Sequence, residues 1–167
     1  MEKIITGRVW KFGNNIDTDV IYPGKYLPII EAEEMAKHAL EGIDPEFPQK
    51  LQKNDILVAG SNFGCGSSRE QAATSLKYAG VGCIIAKSFS RIFFRNAINQ
   101  GLPLVQSKEC LELVNQGDII SVDFSQGKIK LPDRELDFPP LPPGVFEILE
   151  AGGLIESVRK KIQHQDT

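Results

Sequence analysis

Apolar and polar positions change their period several times along this chain, and each change marks an element. Residues 4 to 12 mix β-branched and aromatic side chains and read as an opening strand, closed by the turn-forming Gly13-Asn14-Asn15. Glu31 to Leu40 has helical composition and stops at Gly42. It is preceded by the loop Lys25-Tyr26-Leu27-Pro28-Ile29-Ile30, whose tip is apolar, and followed by a polar connection over 44–48. From residue 56 short apolar runs alternate with helical stretches. A strand over 56–59 leads to a helix over 68–79, with Gly80 as its C-terminal stop. A strand over 83–86 leads to a helix over 91–99, capped by Ser88 or Ser90 and stopped by Gly101. A third strand over 102–105 precedes a short helix over 109–114. This β-α-β-α-β order predicts a parallel sheet. Asp118 to Phe124 and Lys128 to Leu131, joined through Ser125-Gln126-Gly127, then predict an antiparallel hairpin. Residues 132–144 are too proline-rich for an ordinary helix or an inner strand. A final helix starts near Val145, is interrupted at Gly152-Gly153 and ends near Ile162, with a frayed tail over 163–167. The expectation is one α/β domain over residues 1–167, a parallel sheet with an added antiparallel hairpin.

The stretch Gly60-Ser61-Asn62-Phe63-Gly64-Cys65-Gly66-Ser67-Ser68-Arg69-Glu70-Gln71 joins the second strand to the first long helix. Ser67 with Glu70 three residues on has the spacing of a capping box, which places a helix N-terminus and its positive dipole end at the turn. The glycines let backbone approach a bound group, and Arg69 adds a forked cation suited to a carboxylate or phosphate. A well-capped helix after a tight turn explains the spacing equally well. Two adjacent hydroxyls beside an arginine favour an anion site.

Composition narrows the function classes. The net charge of −3 comes with no long basic run, so there is no electrostatic footprint for nucleic acid. No apolar run approaches a membrane span, and Met1-Glu2-Lys3-Ile4-Ile5 lacks a signal-peptide core, so a cytoplasmic protein is expected. Cys65, Cys83 and Cys110 are an odd number, far apart, and suggest neither a disulfide framework nor a metal or iron–sulfur site within this chain. A P-loop is excluded because Cys65-Gly66-Ser67 leaves no lysine for the phosphates. A thiol hydrolase built on Cys65 would have only His38 and His164 as bases, and His38 reads as a surface or packing residue. Asp17-Thr18-Asp19 is compatible with a metal, with proton transfer or, most simply, with a solvated turn. Ser67 beside Arg69 is suited to act as an unusual general base, its alkoxide stabilised by the helix dipole and backbone donors.

Three segments carry a resemblance to a known family: Asn15-Ile16-Asp17-Thr18-Asp19 with Ile21-Tyr22-Pro23, then Asn62 to Glu70, then Ile85 to Asn96. Together they resemble the small subunits of 3-isopropylmalate dehydratase, the stand-alone form of the swivelling domain of the aconitase superfamily, over nearly the whole chain. The resemblance implies a swivelling β/β/α domain that closes over a large subunit, in a heterodimer or heterotetramer. It also implies that the partner carries a [4Fe–4S] cluster, and that the pair moves a hydroxyl between neighbouring carbons of a malate-type acid by dehydration and rehydration. By motif, Ser67 is the implied base, Ser68 and Arg69 hold a carboxylate, and Asp19, with Thr18 and Asp17, orients groups at the site. Many relatives have histidine where this chain has Gln71.

In the same family the loop after the Asp-Thr-Asp motif reads the substrate, here Lys25, Tyr26, Leu27, Pro28 and Ile29. Homoaconitase-type relatives place an arginine where Pro28 stands, while Leu27 and Ile29 offer an apolar wall suited to a branched alkyl group. The resemblance therefore points to 3-isopropylmalate and leucine biosynthesis, with 2,3-dimethylmalate and homoaconitate as alternatives, since Lys25 is long enough to meet a distal carboxylate. A free-standing carboxylate-binding module is the non-enzyme alternative. It leaves Asp17-Thr18-Asp19 without a reason.

Overall fold

Ile56-Leu57-Val58-Ala59 and Cys83-Ile84-Ile85-Ala86 are buried along their whole length, because they run through the middle of a sheet covered on both faces. The computed structural model of the chain describes residues 3–165. Strands β1 (Ile4–Lys11), β2 (Ile56–Ala59), β3 (Cys83–Ala86) and β4 (Leu104–Gln106) pair in parallel, with Val9 opposite Ile56 and Val58 opposite Ile85. On its other edge β1 pairs antiparallel with β5 (Ile119–Asp123), which continues through β6 (Lys128–Lys130) to β7 (Glu135–Asp137). The sheet order is β4-β3-β2-β1-β5-β6-β7. The parallel part and the hairpin are those the sequence predicts. β7 is a further strand inside the proline-rich segment, tolerated because it lies at the sheet edge, with Pro132 before it and Pro139 after it.

Alternation along each strand builds two cores. Leu57, Ala59, Ile84 and Ala86 face one side with Leu76, Phe93 and Ala97. Ile56, Val58, Cys83 and Ile85 face the other with Cys110, Val122 and Ile129. The helices are α1 (Thr18–Ile21), α2 (Ala32–Ala36), α3 (Phe47–Lys50), α4 (Glu70–Ala79), α5 (Arg91–Asn99), α6 (Cys110–Leu113), α7 (Pro143–Ala151) and α8 (Leu154–Gln165).

Three helix boundaries differ from expectation. The segment 31–40 is helical only over α2; residues 37–39 run on as i→i+3 turns, and Leu40, at φ 55°, then donates its N–H to the Ile21 carbonyl at 2.7 Å. That tertiary bond turns the chain where local composition would continue it. The polar connection after Gly42 contains α3, whose Phe47 is buried against the rings of Trp10 and Phe12. The C-terminal helix is interrupted at Gly152 (φ 96°) and Gly153 (φ 142°) as expected, but it starts at Pro143 rather than near Val145. Residues 163–165 continue α8 rather than fraying, and 166–167 of the expected tail lie outside the described residues.

Candidate active site

The turn after β2 takes a conformation that few sequences permit. Asn62, Gly64 and Gly66 have φ of 63°, 81° and 94°, left-handed values that favour glycine and, less strongly, asparagine. Gly64 is doubly constrained, since a Cβ there would lie 2.2 Å from Phe93 Cγ. The segment before α5 clamps this turn from one side. Phe63 N–H donates to Ser88 O at 3.0 Å, and Ser90 N–H donates to Phe63 O at 2.9 Å. Ser90 is the cap of α5: its Oγ accepts from Phe93 N–H and donates to Gly64 O at 2.8 Å. Ser88 Oγ instead accepts from Asn62 N–H at 2.8 Å.

The Asp-Thr-Asp segment clamps the turn from the other side. Gly64 N–H donates to Ile16 O at 2.7 Å, and Thr18 N–H donates to Cys65 O at 2.8 Å. Thr18, buried, then donates its Oγ1 to the Ser67 carbonyl at 2.7 Å. Asp17 caps α1, its Oδ1 accepting from Val20 N–H at 2.8 Å. Asp19 is exposed, and its Oδ1 accepts both from Arg69 Nη1 at 2.7 Å and from Gly24 N–H at 3.1 Å. The hydrogen bond from Arg69 first, and that from Gly24 second, hold the Asp19 carboxyl below the usual aspartate value. Asp17-x-Asp19 thus forms a short capped helix and an arginine clamp. Among the described residues no group of three or more His, Cys, Asp or Glu is placed to hold a metal.

Ser67 does not cap α4. Arg69 occupies the cap position without a side-chain bond, and Glu70, the first helical residue, turns away to accept from Gln100 Nε2 at 2.8 Å. The capping box is therefore not formed, because a long-range partner takes the glutamate that the box requires. The consequence favours a ligand, since the first N–H groups of α4 are left without a side-chain cap. Ser67 and Ser68 are exposed at this end, and Arg69, largely buried, also donates from Nη1 to Tyr22 O at 3.0 Å. Thr18, Gly64, Gly66, Ser67, Ser68 and Arg69 line one small pocket with Ile92, Phe93 and Asn96. Its volume of about 10 Å³ is no more than a water needs. Larger hollows of 260 Å³ and 610 Å³ lie elsewhere, lined by none of these residues. The half-exposed Ile92 and Asn96 line this pocket too, and reading for chemistry misses them. Their signal is their place in the first and second turns of a helix whose cap, Ser90, bonds the glycine-rich turn.

The loop after α1 starts as a 3-10 turn over Gly24–Tyr26. Lys25 Nζ stands 5.1 Å from the centre of the Tyr26 ring, Leu27 and Ile30 are exposed, and Ile29 packs against the core. The apolar wall facing solvent is thus Leu27 and Ile30 rather than Leu27 and Ile29. Of its two expected roles His38 takes that of a packing residue, its ring stacked on Tyr26 at 3.6 Å between centroids.

The cysteines do not suit a cluster. Cys83 and Cys110 are buried, and burial pushes the Cys110 thiol up to about 12 and the Cys83 thiol higher still, while Cys65 stands apart in the turn. An iron–sulfur centre needs three or four thiolates at one place, so this chain's own residues do not fit one.

The family model of the aconitase C-terminal domain matches residues 15–109, the stretch that carries the Asp-Thr-Asp helix, the serine-bearing glycine turn and the Ser-capped helix. The chain is 50% identical over 162 residues to the 3-isopropylmalate dehydratase small subunit of Halothermothrix orenii, covering 96% of this chain and 98% of the relative. It is 52% identical over 164 residues to the isopropylmalate/citramalate isomerase small subunit of Methanocaldococcus jannaschii, covering 97% and 98%. A crystal structure of 3-isopropylmalate dehydratase from the same archaeon superposes with a TM-score of 0.92 at 43% identity, covering 98% of each chain. The chain belongs to the family of 3-isopropylmalate dehydratase small subunits, which are hydro-lyase subunits of the aconitase superfamily.

Proposed function

We propose that this chain, acting over residues 1–167 as one swivelling unit, supplies the proton-transfer half of an isopropylmalate isomerase site and that a cytoplasmic large subunit supplies the other half. The observation that carries this is the junction of Thr18 Oγ1 with the Ser67 carbonyl at 2.7 Å, which holds the serine turn and the Asp-Thr-Asp helix as one body at an uncapped helix N-terminus. Ser67 Oγ is the base that takes the proton from the carbon next to a carboxylate, and returns it in the reverse direction. The N-terminal N–H groups of α4, Ser68 and Arg69 hold that carboxylate. Asp19 acts by fixing Arg69, and Thr18 and Asp17 act by fixing the backbone under Ser67 and α1.

A pocket of about 10 Å³ cannot enclose a malate-type acid, so a partner surface has to complete the site. The [4Fe–4S] cluster implied by the resemblance belongs on that partner, because the three cysteines here do not assemble. The exposed apolar side chains of Leu27 and Ile30 favour 3-isopropylmalate over an acid with a distal carboxylate. The test is turnover by the chain reconstituted anaerobically with its cluster-bearing large subunit. Ser67→Ala is expected to lower kcat by about 100-fold or more while partner binding is kept, in line with the loss of a general base. A variant complex with a near-normal rate would reject the assignment of Ser67.

A further inference from the structure

His38 and Glu41 have no place in the proposed proton transfer, yet they are built around the loop that the isomerase reading makes the substrate-reading one. Tyr26 lies at the centre of that loop. Its hydroxyl donates to Glu41 Oε1 at 2.6 Å, and its ring is stacked on His38 with an interplanar angle of 13°. Glu41 Oε2 meets His38 Nδ1 at 2.5 Å, so one carboxylate bridges the two stacked rings. Burial pushes the Glu41 carboxyl up, but the hydrogen bonds from Tyr26 and His38 outweigh it and hold the group below its usual value. The carboxylate form is the one built in. Tyr26 O also accepts from Tyr22 Oη at 2.7 Å, at the end of α1.

The other end of the loop is tied to the anion site, since the Asp19 oxygen that accepts from Gly24 N–H also accepts from Arg69. Leu27 to Ile30 therefore stand on a two-point mount, Asp19 at Gly24 and Glu41 at Tyr26. The first point fixes the loop's distance from Arg69. The second fixes its tilt.

Resting on the isomerase reading above, we propose that Glu41, bridging Tyr26 and His38, is a positioning residue for substrate selection: it sets where Leu27 and Ile30 stand and so how well a branched alkyl group is preferred to a methyl group. The experiment compares 3-isopropylmalate with citramalate in the reconstituted complex and follows amide exchange over residues 24–31 in the chain alone. Glu41→Ala and Tyr26→Phe are expected to lower the 3-isopropylmalate to citramalate ratio of kcat/KM about tenfold, the size of one apolar contact in a selective pocket. The loss should appear as a raised KM for 3-isopropylmalate with kcat kept, because Ser67 is untouched. Glu41→Gln, which retains an acceptor for Tyr26, should keep the wild-type ratio. Exchange over 24–31 should quicken in Glu41→Ala and not in Glu41→Gln. An unchanged ratio in Glu41→Ala overturns the proposal whatever the exchange shows. Should the wild-type complex turn over neither acid, it is the isomerase reading that fails, and unchanged exchange in Glu41→Ala would then show that Glu41 does not hold the loop either.

Discussion

Gly64 and Gly66 offer a paired perturbation in which one term can be isolated. Both have left-handed φ, at 81° and 94°, so alanine at either position pays about 1–2 kcal/mol of backbone strain, offset in part by a less disordered unfolded chain. They differ in what a methyl group meets. At Gly66 the nearest atoms are Asp17 Cβ and Thr18 Oγ1, both at 3.5 Å, which is ordinary contact. At Gly64 they are Phe93 Cγ at 2.2 Å and Phe93 Cβ at 2.4 Å, so the turn or α5 has to move by more than an ångström. Overpacking of that kind costs about 1–3 kcal/mol. Gly66→Ala should therefore lose about 1 kcal/mol, and Gly64→Ala about 2–4 kcal/mol. For a chain of this length the corresponding falls in Tm are about 2–4 °C and about 4–16 °C. Urea and thermal unfolding of the isolated chain measure both, with coincident far-UV and fluorescence transitions as the check on two-state behaviour. Equal losses, within about 0.5 kcal/mol, would show that Phe93 yields freely and that the turn is not rigidly seated on α5.

Other consequences follow from the same contacts. Thr18→Val, which keeps shape but removes the donor to the Ser67 carbonyl, should cost about 1 kcal/mol of stability and lower kcat more than it raises KM. Thr18→Ser should restore both, and turnover equal to wild type in Thr18→Val would remove the positioning role. The Asp19 carboxyl is held below 3.8 in the folded chain, so its clamp on Arg69 and Gly24 is fully present above that value. It is lost only as pH falls through the lowered value, and Asp19→Asn should abolish that acid-side loss of loop protection in exchange measurements. A thiol reagent at pH 8 should modify Cys65 quickly and Cys83 and Cys110 only after unfolding, because burial keeps the latter two protonated. Rapid reaction of a second thiol would show that the core around β3 and α6 opens.

The elements legible along the chain are those that short-range physics controls. The apolar runs that become β2 and β3, the helices that stop at Gly80 and Gly152, and the hairpin of β5 and β6 all follow from patterning and turn chemistry within a few residues. The three motifs that carry the family resemblance lie in this local class, since each is a contiguous stretch: the middle one holds Gly64 and Gly66, and the outer two carry the caps Asp17 and Ser90.

How those stretches use their polar groups depends on long-range contacts, because a side chain with two possible partners takes the one that the fold brings near. Glu70 has the spacing to cap with Ser67 but bonds Gln100, 30 residues away, and so leaves the helix N-terminus open. Leu40 leaves the turns that follow α2 where Ile21 offers it a carbonyl. Asp17 and Asp19, alike in sequence, part roles when one meets the N–H of Val20 and the other meets Arg69. Glu41 and His38 come to Tyr26 from a segment with no motif of its own, since hydrogen bonds between residues 15 apart leave no periodic trace along a chain.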